Sequence, residues 1–243
     1  MAELASGRNN YGQVLGILMV NTSFTRIPGD IGNASTFKFP VRYKVIENAT
    51  PALVVEKAIK TLLPQFIEAA KELETEGVRA ITTSCGFLAL LQKEMADALH
   101  IPIFTSSLLQ VPLAYRMMPA SKKVGILTAN SKALTKDHLR SVGITDDIPV
   151  AIAGLEDREE FAEAIGGNLK RPLEPHKIQA GIVSVCNELK KKEDIGAIVF
   201  ECTNLPPYSY GVQKSTGLPV FDIITLCNYI HDVVLRKEFE GFL

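Results

Sequence analysis

The sequence predicts an α/β protein of two similar lobes, each built on a parallel sheet, and three observations lead there. Short apolar runs alternate with longer helical patterns along almost the whole chain of 243 residues, as strand-helix units require. The chain repeats itself: AITTSCGF from Ala80 aligns with AIVFECTN from Ala197, and the same offset carries IPIF at Ile101 onto LPVF at Leu218. A second echo precedes each, GILMVNTS from Gly16 and GILTANSK from Gly125, so both halves place a Gly-Ile-Leu strand before an asparagine, Asn21 or Asn130. Two Rossmann-like lobes related by a pseudo-twofold axis, with an active site in the cleft between them, follow as the expected architecture.

The elements are expected in order. Strands are read at Val14 to Val20, Ala80 to Thr83, Ile101 to Thr105, Val124 to Thr128, Val150 to Ala153, Ala197 to Phe200 and Pro219 to Asp222, each a short apolar run with flanking breakers. Helices are read at Pro51 to Glu76, Leu88 to Leu99, Leu108 to Met117, Lys132 to Ser141, Arg158 to Ile165, Glu174 to Lys192 and Leu226 to Glu238. Pro64 should kink or split the first helix, because it lacks the amide proton that an interior turn uses. The lobes are set at 1-117 and 118-223, with a C-terminal helix at 224-243.

Composition removes several function classes. A formal net charge of −1 with scattered lysines gives no concentrated basic face, so neither nucleic acid nor an anionic membrane surface is an expected partner. Lys190 to Lys192 suit the solvated end of a helix. No apolar run approaches a bilayer span, and Glu3 stands where a leader would be basic, so a soluble cytoplasmic protein is expected. A homo-oligomer is left open. Phosphate-loop, His-Glu-x-x-His and Gly-x-Ser-x-Gly patterns are absent, which removes the short motifs of nucleotide, metal and serine chemistry; a pyridoxal phosphate lysine has no such motif to look for.

Four cysteines without a C-x-x-C pair read as free thiols. Cys186 and Cys227 fall at helical spacing with Ile178, Ile182, Val185 and Leu189, and with Ile223, Ile230 and Val234, so both read as small core residues. Cys85 and Cys202 each follow a strand and precede a helix, the position where parallel sheets hold ligands. Thiols approaching one pocket from opposite sides suit proton removal on one face of a carbon and proton delivery on the other. Gly86 would allow close backbone approach, and Thr203 and Asn204 could bind a substrate carboxylate or its enediolate.

These motifs resemble those of the cofactor-independent aspartate/glutamate racemase superfamily, which includes hydantoin racemases, maleate isomerases and arylmalonate decarboxylases. SCGF and ECTN occupy the places of its two catalytic-cysteine motifs. The resemblance implies Cys85 and Cys202 as the acid/base pair, and Asn21, Gly86, Asn130, Thr203 and Asn204 as pocket residues around a small carboxylate substrate, with no cofactor and no metal. It also implies a last helix that returns to the first lobe. Amino-acid racemases of this kind tend to carry Asn-Thr and Thr-His after the cysteines, whereas this chain has Gly86-Phe87 and Thr203-Asn204. Phe87 either places an aromatic surface beside the first thiol, which would suit a less polar substrate, or packs at a helix start.

The expected activity is therefore racemisation or epimerisation of a small amino acid or related carboxylate by an isomerase. A maleate-type cis-trans isomerase or a decarboxylase on the same scaffold is the alternative, and a non-catalytic small-ligand binding protein is the rival from another class. Four further features carry a functional and a plain reading. Thr25 to Asn33 is either a lid that brings Arg26 to a carboxylate or a surface loop, with Asp30 fitting the turn; Tyr208 and Tyr210 either close the pocket or pack at a helix start. His231 reads as a satisfied or half-exposed histidine before a catalytic one. Ser84 and Glu201 point to the other side of their strands yet could reach a sulfur.

Overall fold

The computed structural model describes residues 7, 11–56, 59–166 and 172–242. Among the described residues, eight strands form two four-stranded parallel sheets. The first contains β1 (Leu15–Val20), β2 (Val41–Ile46), β3 (Ala80–Thr83) and β4 (Ile103–Phe104) in the order β2-β1-β3-β4. The second contains β5 (Lys123–Thr128), β6 (Val150–Gly154), β7 (Ile195–Phe200) and β8 (Val220–Phe221) in the corresponding order β6-β5-β7-β8. Every strand pair is parallel. Both sheets therefore put the cysteine-bearing strand, β3 or β7, beside the central Gly-Ile-Leu strand.

Burial on both faces explains the continuous apolar runs of the inner strands. All six residues of β1 and all four of β3 are buried, and helices cover both sheets. The first sheet carries α1 (Pro51–Glu56), α2 (Ile59–Glu76) and α3 (Gln92–Asp97), with α4 (Val111–Arg116) leading to the second. That sheet carries α5 (Lys136–Ser141), α6 (Glu159–Gly166), α7 (Pro175–Lys192) and α8 (Ser209–Thr216). The chain ends in α9 (Ile223–Val234), whose Ile223, Leu226 and Cys227 pack with Leu15, Ile17 and Met19 of β1.

The structure departs from the sequence reading where local pattern is weak. Strand β2 has no separate expectation behind it, because Arg42 and Lys44 interrupt its apolar residues. Those charges are explained by α2, where Glu76 pairs with Arg42 at 2.6 Å and Glu72 pairs with Lys44. Helix α8 is equally unannounced: only Val212 and Thr216 are buried, and Gly217 closes it at φ 69° in the left-handed conformation. Helix α2 continues through Pro64, its sixth residue, with one amide donor missing from the ladder. Residues 57 and 58 of the expected first helix lie outside the described residues. The final helix starts at Ile223, before the expected Leu226, because Asp222 and Thr225 form a reciprocal capping box, and it ends at Val234. Two 3₁₀ segments, Gly86–Leu91 and Ser107–Gln110, begin what periodicity reads as plain helices. Among the described residues no helix is long and apolar enough to cross a membrane.

Candidate active site

Strands β3 and β7 both end at one small cavity of about 90 Å³. Arg26, Cys85, Gly86 and Phe87 line it from the first half of the chain, and Glu201, Cys202, Thr203 and Asn204 from the second. Val20, Phe24, Val55 and Ile165 make the wall largely apolar. All four cysteines are free thiols. Cys186 and Cys227 are buried in the helix-sheet cores, away from this cavity.

Each strand end is pinned to its neighbours. The Ser84 hydroxyl accepts the Val20 amide at 2.8 Å, and the Ser84 carbonyl accepts the Thr203 hydroxyl at 2.6 Å. That last bond ties one cysteine motif to the other. Thr203 therefore spends its proton on the protein and has none to offer a substrate carboxylate. Asn204 is likewise engaged: its Oδ1 accepts the Cys202 thiol at 3.6 Å and its Nδ2 donates to Asp30 at 2.7 Å. Both residues line the cavity, with these side-chain bonds made inside the protein.

Asp30, read from the sequence as a turn residue, is the hub of the loop after β1. It is 3% exposed and also accepts Arg26 at 2.7 Å and the Gly32 amide at 2.7 Å. A second Arg26 nitrogen donates to Thr22 at 2.8 Å, and the guanidinium lies 4.5 Å from the Phe24 ring centroid. The loop is thus folded down onto the second cysteine motif, with Gly29 against Pro207 at φ 100°, a conformation and a clearance that a side chain would spoil.

Several expected pocket residues stand elsewhere. Asn21 donates to the Glu47 carbonyl at 2.9 Å and borders a neighbouring void with Thr22 and Phe24. Asn130 caps the turn after β5 by accepting the Lys132 and Ala133 amides, and it faces a separate open groove shared with His138. Each side chain bonds to backbone groups of a loop, which the strand-end position alone could not reveal. Tyr208 is buried beside Asp30 and Asn204, one layer behind the thiols, whereas Tyr210 is exposed. His231 stacks on Phe39 with centroids 3.8 Å apart. Phe87 lines the cavity and meets the His138 ring edge-on at 5.3 Å.

Burial dominates the electrostatics. It pushes the Cys85 thiol up to about 12, helped by the Glu201 charge and opposed by the Phe87 amide, Arg26 and the Leu88 amide. Burial and then Glu201 also drive the Cys202 thiol well up, and the Asn204 backbone amide opposes them. Glu201 is itself raised to about 7 by burial, against the Thr128 hydroxyl that donates to its Oε2 at 2.7 Å. Sequence pattern gives Glu201 only a secondary place, and its position immediately before Cys202 is the signal available. Among the described residues no cluster of three or more His, Cys, Asp or Glu could hold a metal ion.

The fold is the one seen in solved structures of aspartate and glutamate racemases and of arylmalonate decarboxylase. The aspartate racemase of Picrophilus torridus, for example, superposes with a TM-score of 0.58 at 15% identity over 94% of this chain and 96% of that one. No model of a known protein family matches the sequence. Curated relatives are more specific. A dimethylsulfoniopropionate lyase of Durusdinium sp. clade D is 32% identical over 222 residues, covering 88% of this chain and 73% of that protein. Dimethylsulfoniopropionate lyase 3 of Emiliania huxleyi (strain CCMP1516) is 32% identical over 226 residues, covering 88% of this chain but 58% of its own length. The chain belongs to the dimethylsulfoniopropionate lyase family.

That membership overturns the expectation of a racemase, and with it the isomerase class. The relatives are named as lyases, and the decarboxylase alternative, itself a bond-cleaving reaction, stood nearer. The physical reason is that racemisation and elimination share a first step, loss of a proton beside a carboxylate. A thiol at a strand end serves either, and the outcome depends on whether the substrate carries a leaving group.

Proposed function

We propose that the protein is a lyase that cleaves a β-sulfonium carboxylate, dimethylsulfoniopropionate or a close analogue, into an unsaturated acid and a neutral sulfide. In this elimination a thiolate of the Cys85/Cys202 pair takes the proton from the carbon next to the carboxylate. The electron pair of that C–H bond forms the C=C bond, and the C–S bond breaks with its electrons remaining on sulfur. For dimethylsulfoniopropionate the products are acrylate, dimethyl sulfide and one proton, which ends on the thiol. Charge and atoms balance without a redox partner, and the sulfide leaves neutral, so no acid is needed to protonate it.

The observation that carries this reading is the convergence of two thiols on one mostly apolar cavity in a chain 32% identical to named lyases. The cavity's residues suit the parts of such a substrate. Arg26 is the cation on its wall, and although Asp30 and Thr22 orient it, it remains the group to which a carboxylate would be drawn. Phe24 and Phe87 put aromatic rings on the wall, which suits the methyl groups of a sulfonium. Backbone amides of Phe87 and Leu88 favour negative charge at the Cys85 sulfur. A void this small favours a compact substrate over an aryl or peptide one.

The test is direct. Purified protein incubated with dimethylsulfoniopropionate should release dimethyl sulfide, read by headspace gas chromatography, with acrylate appearing in equal amount by proton NMR. No release by a folded protein with all four thiols reduced, under conditions where a characterised lyase turns over, would overturn the proposal.

A further inference from the structure

Glu201 holds the one buried polar side-chain atom that lacks a partner among the described residues. It is 0% exposed, its Oε2 accepts the Thr128 hydroxyl, and its Oε1 accepts nothing. That oxygen is wedged against the backbone of the other cysteine motif: a Cβ added at Gly86 would come within 2.2 Å of it. The carboxyl therefore sits behind both sulfurs, one residue from Cys202 in sequence and against the residue after Cys85 in space. A bare residue at position 86 is what admits it. Leaving a carboxylate oxygen unbonded in such a place is costly, so the site gains if the charge is removed or moved.

We propose that Glu201 is a charge regulator for the two thiols, a positioning residue that decides whether the cavity's single negative charge sits on oxygen or on sulfur. While Glu201 is ionised, its field keeps protons on both Cys85 and Cys202. When Glu201 takes up a proton, the repulsion ends and one sulfur can carry the charge as the reactive thiolate. The proton on Oε1 or Oε2 and the proton lost from sulfur balance, so the cavity holds one negative charge in either form. The other charged groups facing the sulfurs are Arg26, which favours the Cys85 thiolate, and Asp30, which opposes the Cys202 thiolate; the two are paired with each other. Cys85 and Cys202 also oppose each other's ionisation, which limits the pair to one thiolate. Burial holding the Glu201 proton up to about 7 puts the switch within the ordinary working range.

The inference rests on reading this cavity as the reacting site, but its test needs no turnover. Glu201→Gln keeps shape and removes the charge. Thiolate formation in the whole chain, followed by ultraviolet thiolate absorbance and by the pH dependence of iodoacetamide incorporation at Cys85 and Cys202, should shift to lower pH by about one unit or more. Alkylation at fixed pH near neutrality should then be about tenfold faster, since the rate follows the thiolate fraction. Cys186 and Cys227 serve as internal controls that should not change. An unchanged or upward-shifted titration in a folded Gln variant overturns the proposal. If that variant does not fold, Thr128→Val supplies the test: losing the donor to Oε2 leaves Glu201 protonated to higher pH, so thiol reactivity should shift in the same direction by a smaller amount, and no shift overturns the proposal. Failure here with dimethyl sulfide still released would leave the lyase reading standing, and the reverse outcome would leave the regulator standing.

Discussion

The ends of β3 and β7 occupy equivalent places in two sheets of the same strand order, yet they surround their sulfurs differently. Cys85 is half-buried and opens a 3₁₀ turn whose Phe87 and Leu88 amides, together with Arg26, favour its thiolate. Cys202 is 9% exposed, donates its proton to Asn204 and is held up further by Glu201, Cys85 and Asp30. The repeat has thus placed two like atoms in unlike fields. The loop after β1 adds to the contrast, because it delivers a cation toward one corner and an anion toward the other.

The strongest way to break this comparison is to remove each sulfur in turn. Removing the sulfur that acts as base, by Cys85→Ser or by Cys202→Ser, should lower sulfide release by about 10²–10⁴-fold, the span of a lost general base. Turnover at the parent rate in either variant, measured by headspace gas chromatography, would reduce that corner to a wall and leave a one-thiol site.

A second test sharpens the role of the carboxyl between the corners. The folded state holds the Glu201 proton more tightly than the usual carboxylate does, so Glu201's contribution to stability is complete below the ordinary carboxylate range and is lost as pH rises through about 7. Glu201→Gln removes that loss. The variant should match the parent near pH 4 and exceed it by roughly 3 kcal/mol above pH 8, read as urea midpoints at both pH values. Asp222, also raised by burial, contributes to both proteins alike and cancels in the difference. A difference independent of pH would show that the carboxyl carries no buried charge.

The smallest effect concerns the bond that joins the corners. Thr203→Val leaves the Ser84 carbonyl without its side-chain donor and should lower stability by about 1–3 kcal/mol in denaturant unfolding. An unchanged midpoint would mean that the two motifs hold their register by packing alone.

Much of this architecture was legible because it is written in local pattern. Buried strands such as Leu15–Val20 and Ile195–Phe200 are uninterrupted apolar runs, and α7 announces itself by Ile178, Ile182, Val185 and Leu189 on one face. The edge strand β2 and the polar helix α8 were hidden for the converse reason: their stability comes from partners such as Glu76 on α2, not from their own periodicity. Within the site, Cys85, Gly86, Phe87 and Cys202 could be found from position alone. The engagement of Asn21, Asn130 and Asn204 could not, since an amide at a strand end looks the same whether it faces a ligand or a loop carbonyl.

The sequence by itself determined two parallel strand-helix units, their duplicated order and the two thiols at matching strand ends, because periodicity and repeat depend only on neighbours along the chain. The tertiary structure alone decided what those thiols face. Asp30 reaches Asn204 across 174 residues, and Glu201 lies against Gly86 from the other sheet. Electrostatic fields act through space over a few ångströms, so the charge that each sulfur feels is set by segments that the chain brings together only on folding.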